Sequence, residues 1–160
     1  MAYSIDSSPA AGAHNEVHAT QLNPLGAVRE FSDGNFYIYL KGVTSCADGS
    51  MVVFQPGVWT AILIATGVKG SVAIANAVVD ASTKYGWFTY VGQDVGISRS
   101  AIASNVPLYA GGVAGSPDDA AVKGDQIMNC IARNAAAADG GSVILQLDRA
   151  FIGMNNESVG

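Results

Sequence analysis

The chain has 160 residues, 49% of them hydrophobic and only 13% charged, with a formal net charge of −5. That hydrophobic share excludes a disordered chain, which needs low hydrophobicity and high charge, and the length is that of one domain with one sizeable core. The acidic balance and the scattered Lys and Arg residues argue against nucleic-acid binding as the main task, because phosphate recognition needs clustered cations.

So few ionic groups leave little to cover a free monomer, and burial of much of the surface against other subunits is expected. No apolar run approaches the ~18 residues of a membrane-spanning helix. The opening MAYSIDSSPAAGAH lacks the basic and apolar regions of a secretory signal, so residence in reducing cytosol is expected. Cys46 and Cys130 are then expected as free thiols rather than a disulfide.

Residues 1–22 are polar, rich in small side chains and without a sustained period, and read as an extended arm. QLNPLG at 21–26 follows as a loop, since Pro24 drives Asn23 out of the helical region. After the turn SDGN at 32–35, the aromatic and β-branched run FYIYLKG at 36–42 predicts the first central strand. A loop containing Asp48 and Gly49 leads to a short strand at 51–54, closed by QPG, and VWTAILIA at 58–65 predicts another.

The stretch at 70–92, GSVAIANAVVDASTKYGWFTYVG, organises the chain as a predicted hairpin. Val72, Ile74, Ala77 and Val79 supply its first apolar run, residues 81–84 its polar turn, and Trp87, Phe88, Tyr90 and Val91 its second run. Residues 93–105 alternate in part through Val95, Ile97 and Ala101; 107–115 is short and rich in Gly and Ala; SPDD at 116–119 reads as a turn. In DQIMNCIARNAAAA at 125–138, helical spacing (Ile127, Ile131, Ala135) competes with strand alternation (Ile127, Asn129, Ile131, Arg133), and we read a strand followed by an Ala-rich loop. The last strand spans 142–152, with Val143, Leu145 and Leu147 on one face, and 154–160 is a polar tail. Turn signals every ~8–12 residues predict an all-β body over 23–153: a small antiparallel β-barrel or sandwich, jelly-roll or β-tulip-like, rather than βαβ units.

Residues that could carry chemistry have plainer readings. HNEVH at 14–18 lacks the Glu directly after the first His that a zinc-protease helix needs, so His14 and His18 read as structural or surface residues. Asp118, Asp119 and Asp125 read as a solvated turn, because neighbouring side chains in a strand point to opposite faces. No glycine run forms a phosphate loop, Ser98, Ser100 and Ser104 lack a nucleophile elbow, and Cys46 has no His nearby in sequence. No enzyme, cofactor or metal is therefore expected. Phe36, Tyr37, Tyr39, Trp59, Trp87, Phe88 and Tyr90 are expected in the core or an interface; Tyr85, Trp87 and Tyr90 stacking on sugars or bases is the alternative.

Taken in order, several pieces resemble a family of small bacteriophage virion proteins. They are PLG at 24–26, FYIYLKGV at 36–43, the stretch at 58–65, and 70–76 leading into YGW at 85–87 and Gly92. Further along come LYA at 108–110, Gly115, Asp118 with Asp119, Gly124 with Asp125, Asn129, and 147–152. The coverage is about residues 21–152, and the chain departs in its longer N-terminal arm and in lacking Val after Gly70. The resemblance implies a capsid decoration, or cement, protein: an all-β module on the outside of the assembled head that locks neighbouring major capsid protein subunits. It brings no catalytic residues. The expected partners are the major capsid protein and further copies of the chain, a homotrimer first and a dimer second, with no nucleic acid and no membrane.

The arm would be the clamp, ordering on a neighbour's sheet edge, with Tyr3, Ile5, Val17, Leu22 and Leu25 as contact residues. Removing residues 1–22 is then expected to abolish shell binding and leave the core folded. The rival expectations are a structural protein of the tail or head fibre and a module that binds host glycan.

Overall fold

The computed structural model describes residues 13–138 and 140–153. They form eleven strands and, among the described residues, no helix: β1 (Val17–His18), β2 (Val28–Glu30), β3 (Phe36–Lys41), β4 (Met51–Phe54), β5 (Ile62–Leu63), β6 (Gly70–Ala75), β7 (Tyr85–Ser98), β8 (Leu108–Ala110), β9 (Pro117–Asp118), β10 (Gln126–Ala132) and β11 (Gly141–Ile152). The all-β expectation holds, as one large, open antiparallel sheet. Its order is β2-β3-β7-β6-β11-β10-β8-β9, with β1 paired to β7, and β4 paired to both β5 and β6.

β7 runs through two environments. Its first half pairs with β3, from Lys41 opposite Tyr85 to Phe36 opposite Val91. Its second half pairs with β11 from Val91 opposite Asp148 to Ser98 opposite Gly141. β6 enters where the two halves meet, placing Ile74 and Ala75 against Thr89 and Phe88, and Gly70 and Ser71 against Ile152 and Phe151.

Around the first half, both sheet faces are covered. Ile38, Leu40, Val52, Phe54, Ala73, Ala75 and Phe88 point into one core. Tyr37, Tyr39 and Trp87 point the opposite way, and so do Met51, Val53, Val72 and Ile74, which join Val143, Leu145 and Leu147 in the largest core. A strand buried on both sides can be apolar at every position, which is why FYIYL and MVVF show no alternation.

Several expectations change. The stretch at 58–65 is strand only at Ile62–Leu63, because Trp59 has a positive φ of 55° that breaks extended backbone. The first arm of the hairpin ends at Ala75, so Ala77 and Val79 lie in the connection; Val79 is nevertheless buried there. Residues 93–98 are not a separate segment but the end of β7. Within SPDD, Pro117 and Asp118 form β9 against β8. The strand expected in the segment at 125–138 is β10.

Candidate functional site

Among the described residues, two surfaces carry the interest. The first is where the arm meets the body. Ala13 to Leu22 does not extend away; it lies on an aromatic shelf. Val17 and His18 pair with Gly86 and Tyr85 of β7. His14 stacks on Tyr37 with ring centroids 4.8 Å apart, and its edge meets Phe31 at 5.7 Å. His18 tilts over Tyr39 at 5.7 Å and shares a 2.7 Å hydrogen bond between Nδ1 and the phenol oxygen. Phe31 and Tyr39 in turn pack on Trp87 at 5.4 and 5.0 Å. The alternation of β3 sets this up, since Tyr37 and Tyr39, two apart, present both rings on one face.

Three buried polar atoms in this region have no hydrogen-bond partner among the described residues: His14 Nδ1, His18 Nε2 and Trp87 Nε1. An unsatisfied buried group costs about 1–3 kcal/mol, so the arm is seated by ring packing at the expense of polar satisfaction.

The second surface is the outer face of the other half of the sheet. Val95 and Ile144 are directly opposed on β7 and β11, and they are 51% and 40% exposed. Side chains two apart share a face, so Gln93 and Val91 continue this face along β7. Val91 opposes Phe36, which is 37% exposed, on β3. Ile38 is two residues beyond Phe36, and its partner Val28 is exposed on β2. Val28, Phe36, Val95 and Ile144 are thus exposed apolar side chains on the face that, further along, is covered by the core around Phe54 and Phe88, with Gln93, Gln146 and Asp148 lying between the Val95–Ile144 pair and Phe36.

The charged groups elsewhere are structural. Asp125 is buried, pairs with Lys69 Nζ at 2.5 Å, and accepts the Gly67 N–H on both carboxylate oxygens at 3.0 and 3.1 Å. Asp118 accepts Ser100 Oγ at 2.9 Å and Asp119 accepts the Ala103 N–H at 2.9 Å. The three carboxylates therefore hold loops together rather than forming a solvated turn. Asp94 accepts the Thr89 hydroxyl, and burial pushes its carboxyl above the usual range. Cys46 and Cys130 are free and buried, and burial pushes both thiols up to about 12; a thiol held neutral is a poor nucleophile. Among the described residues no group of three or more His, Cys, Asp or Glu side chains could hold a metal ion.

Of the contact residues expected in the arm, Tyr3 and Ile5 lie outside the described residues. Val17 and Leu22 are exposed, and Leu25 packs against the aromatic shelf. Tyr37, Tyr39, Trp87 and Phe88 are core residues. Trp59 and Tyr90 are half-buried against the core that holds Phe54, and Phe36 is exposed. Trp87 is fully buried, and Tyr90 packs on the opposite face from Tyr85 and Trp87, so the three form no stacking platform. The exposed Val95 and Ile144 were missed as a site. Their signal was present in Val95 standing between Asp94 and Gly96, and in Ile144 falling between Val143 and Leu145.

No protein-family model matches the sequence, and neither a curated protein nor a solved structure matches it.

Proposed function

We propose that the protein is a bacteriophage capsid decoration protein that binds the outer surface of the assembled head and reinforces contacts between major capsid protein subunits. The observation that carries this reading is the exposure of Val28, Phe36, Val95 and Ile144 on one face of the sheet. Together with the low charge of the chain, it supports a surface that is stable only when covered. Fully burying a Val, Ile or Phe side chain contributes about 1.5–3 kcal/mol, so four half-exposed ones give a modest contact, and a lattice of identical copies turns modest contacts into firm attachment. The order of PLG, FYIYLKGV, YGW, LYA and the later Asp and Gly residues supports the same address. A homotrimer on the shell is the first arrangement proposed and a dimer the second.

The clamp is redrawn. Because Ala13 to Leu22 covers Tyr37 and Tyr39, removing residues 1–22 would strip the body as well as any clamp. Truncation of residues 1–12 is the cleaner trial of arm binding. The main test is co-sedimentation with heads assembled without this protein. Wild type should decorate them, and Val95→Asp/Ile144→Asp should stay folded and fail to. Equal decoration by the double variant would rule out this face. A copy number near a dozen per particle instead of hundreds would move the address to a fibre.

A further inference from the structure

We propose that the arm is fastened by a proton-sensitive latch, His18 on Tyr39, which acidification opens. The phenol oxygen of Tyr39 accepts the Leu22 N–H at 3.3 Å, and the Asn23 side chain bonds the same oxygen. A phenol oxygen has two acceptor sites and one hydrogen. With its acceptor sites engaged, Tyr39 turns its hydrogen toward His18 Nδ1, 2.7 Å away. His18 Nδ1 is therefore the acceptor, and the ring carries its hydrogen on Nε2, the buried atom without a hydrogen-bond partner among the described residues.

A second proton has to go on Nδ1. Two hydrogens would then face each other across 2.7 Å, and Tyr39 would have to give up the Leu22 or Asn23 bond to relieve the conflict. His18 is only 6% exposed, so water cannot take over. Among the described residues, the groups facing His18 are Glu16 from the arm, Tyr39 from β3 and Tyr85 from β7. Glu16 is the only one with a charge to offer, and its Oε2 stands 3.9 Å from Nε2 with 58% of the side chain exposed. That attraction is screened by solvent and acts at the wrong nitrogen. The lower-energy response is for the arm to lift, hydrating the imidazolium and freeing Tyr39. Histidine is the side chain type that gains or loses its charge between about pH 5 and 8, and that is the range over which the latch is tested. It does not depend on shell binding.

The test is amide hydrogen exchange of the full chain at about pH 7.5 and about pH 5, corrected for the chemical exchange rate, read at Leu22 and in β1. Wild type should lose protection there by roughly tenfold or more at the lower pH, while β11 keeps its protection. His18→Gln, which retains an acceptor for Tyr39 but does not titrate, should keep the arm protected at both. Equal protection of wild type at the two values overturns the proposal. So does an unchanged pH response in His18→Gln, or its disappearance in His14→Gln, whose ring lies instead near Asp33 and Asp94. Should the variants misfold, ¹⁵N shifts of the wild-type imidazole decide: the hydrogen on Nε2 at neutral pH is expected, and a hydrogen on Nδ1 contradicts the latch.

Discussion

The two halves of β7 show how one strand can serve two purposes. From Tyr85 to Tyr90 it is enclosed, with Trp87 packed on Tyr39 and Phe31 on one side and Phe88 in the core on the other. From Val91 to Ser98 it lies beside β11 with only one face covered, and Val95 looks outward. The first half is built for stability and the second leaves apolar surface unspent. Substitutions should therefore behave oppositely in the two halves.

Trp87→Ala should show the largest effect. Emptying a fully buried indole site costs about 3–5 kcal/mol, visible as a large drop in the urea midpoint; a loss under about 1 kcal/mol would mean that the shelf is not packed as described. Next comes Asp125→Asn, which strikes the tie between the loops leading into β6 and β10. It removes the charged partner of Lys69, itself 30% exposed, leaving it the Gly124 carbonyl, and a loss of about 2–3 kcal/mol is expected in the same experiment.

The thiols sharpen the comparison, because Cys46 belongs to the core of the enclosed half and Cys130 lies beneath the bare face. Both are raised from 9.0 to about 12. Below pH 9 each thiol is protonated in both folded and unfolded chains, and its contribution is fully present. Between 9 and 12 the unfolded chain gives up the proton and the folded chain holds it, so stability falls as pH rises, by up to roughly 1 kcal/mol per pH unit per thiol. Urea unfolding across that range should show the fall, and Cys46→Ala and Cys130→Ala should each lessen its slope by a similar amount. A slope carried by one thiol alone would mean that the two interiors are not equally dry.

The smallest effect belongs to the bare face. Ile144→Ser should change stability by no more than about 0.5 kcal/mol, while weakening attachment to heads in the sedimentation experiment. A loss comparable to that of Trp87→Ala would show that the face is already covered within the folded chain.

The strands with dense apolar patterns, 36–41, 51–54 and 141–152, were legible because burial on one or both faces wrote itself into the residues. The unity of β7 was not. Gly92 and Gly96 look like breakers, yet each is a point of close approach. A Cβ at Gly92, where φ is 122°, would lie 1.9 Å from Asn35 Oδ1, and the Asn35 amide occupies that space to bond both the N–H and the C=O of Gln93. A Cβ at Gly96 would come within 2.5 Å of Leu145 Cδ1. Neither requirement can be read without the neighbouring strand. Trp59 misled for a similar reason: an apolar run signalled a strand, but its backbone turns so that the ring reaches the core beside Phe54, at 6.1 Å. At the arm, His14 and His18 pack on Tyr37 and Tyr39, which lie more than twenty positions away in the chain, so that contact could not be read from the local sequence.

Imaging heads purified with and without this protein tests the central proposal most directly. The expected result is density for hundreds of copies on the outer surface, with the Val95 and Ile144 face turned against the coat. Heads on which that density is missing, or on which the same face is turned to solvent, would contradict it.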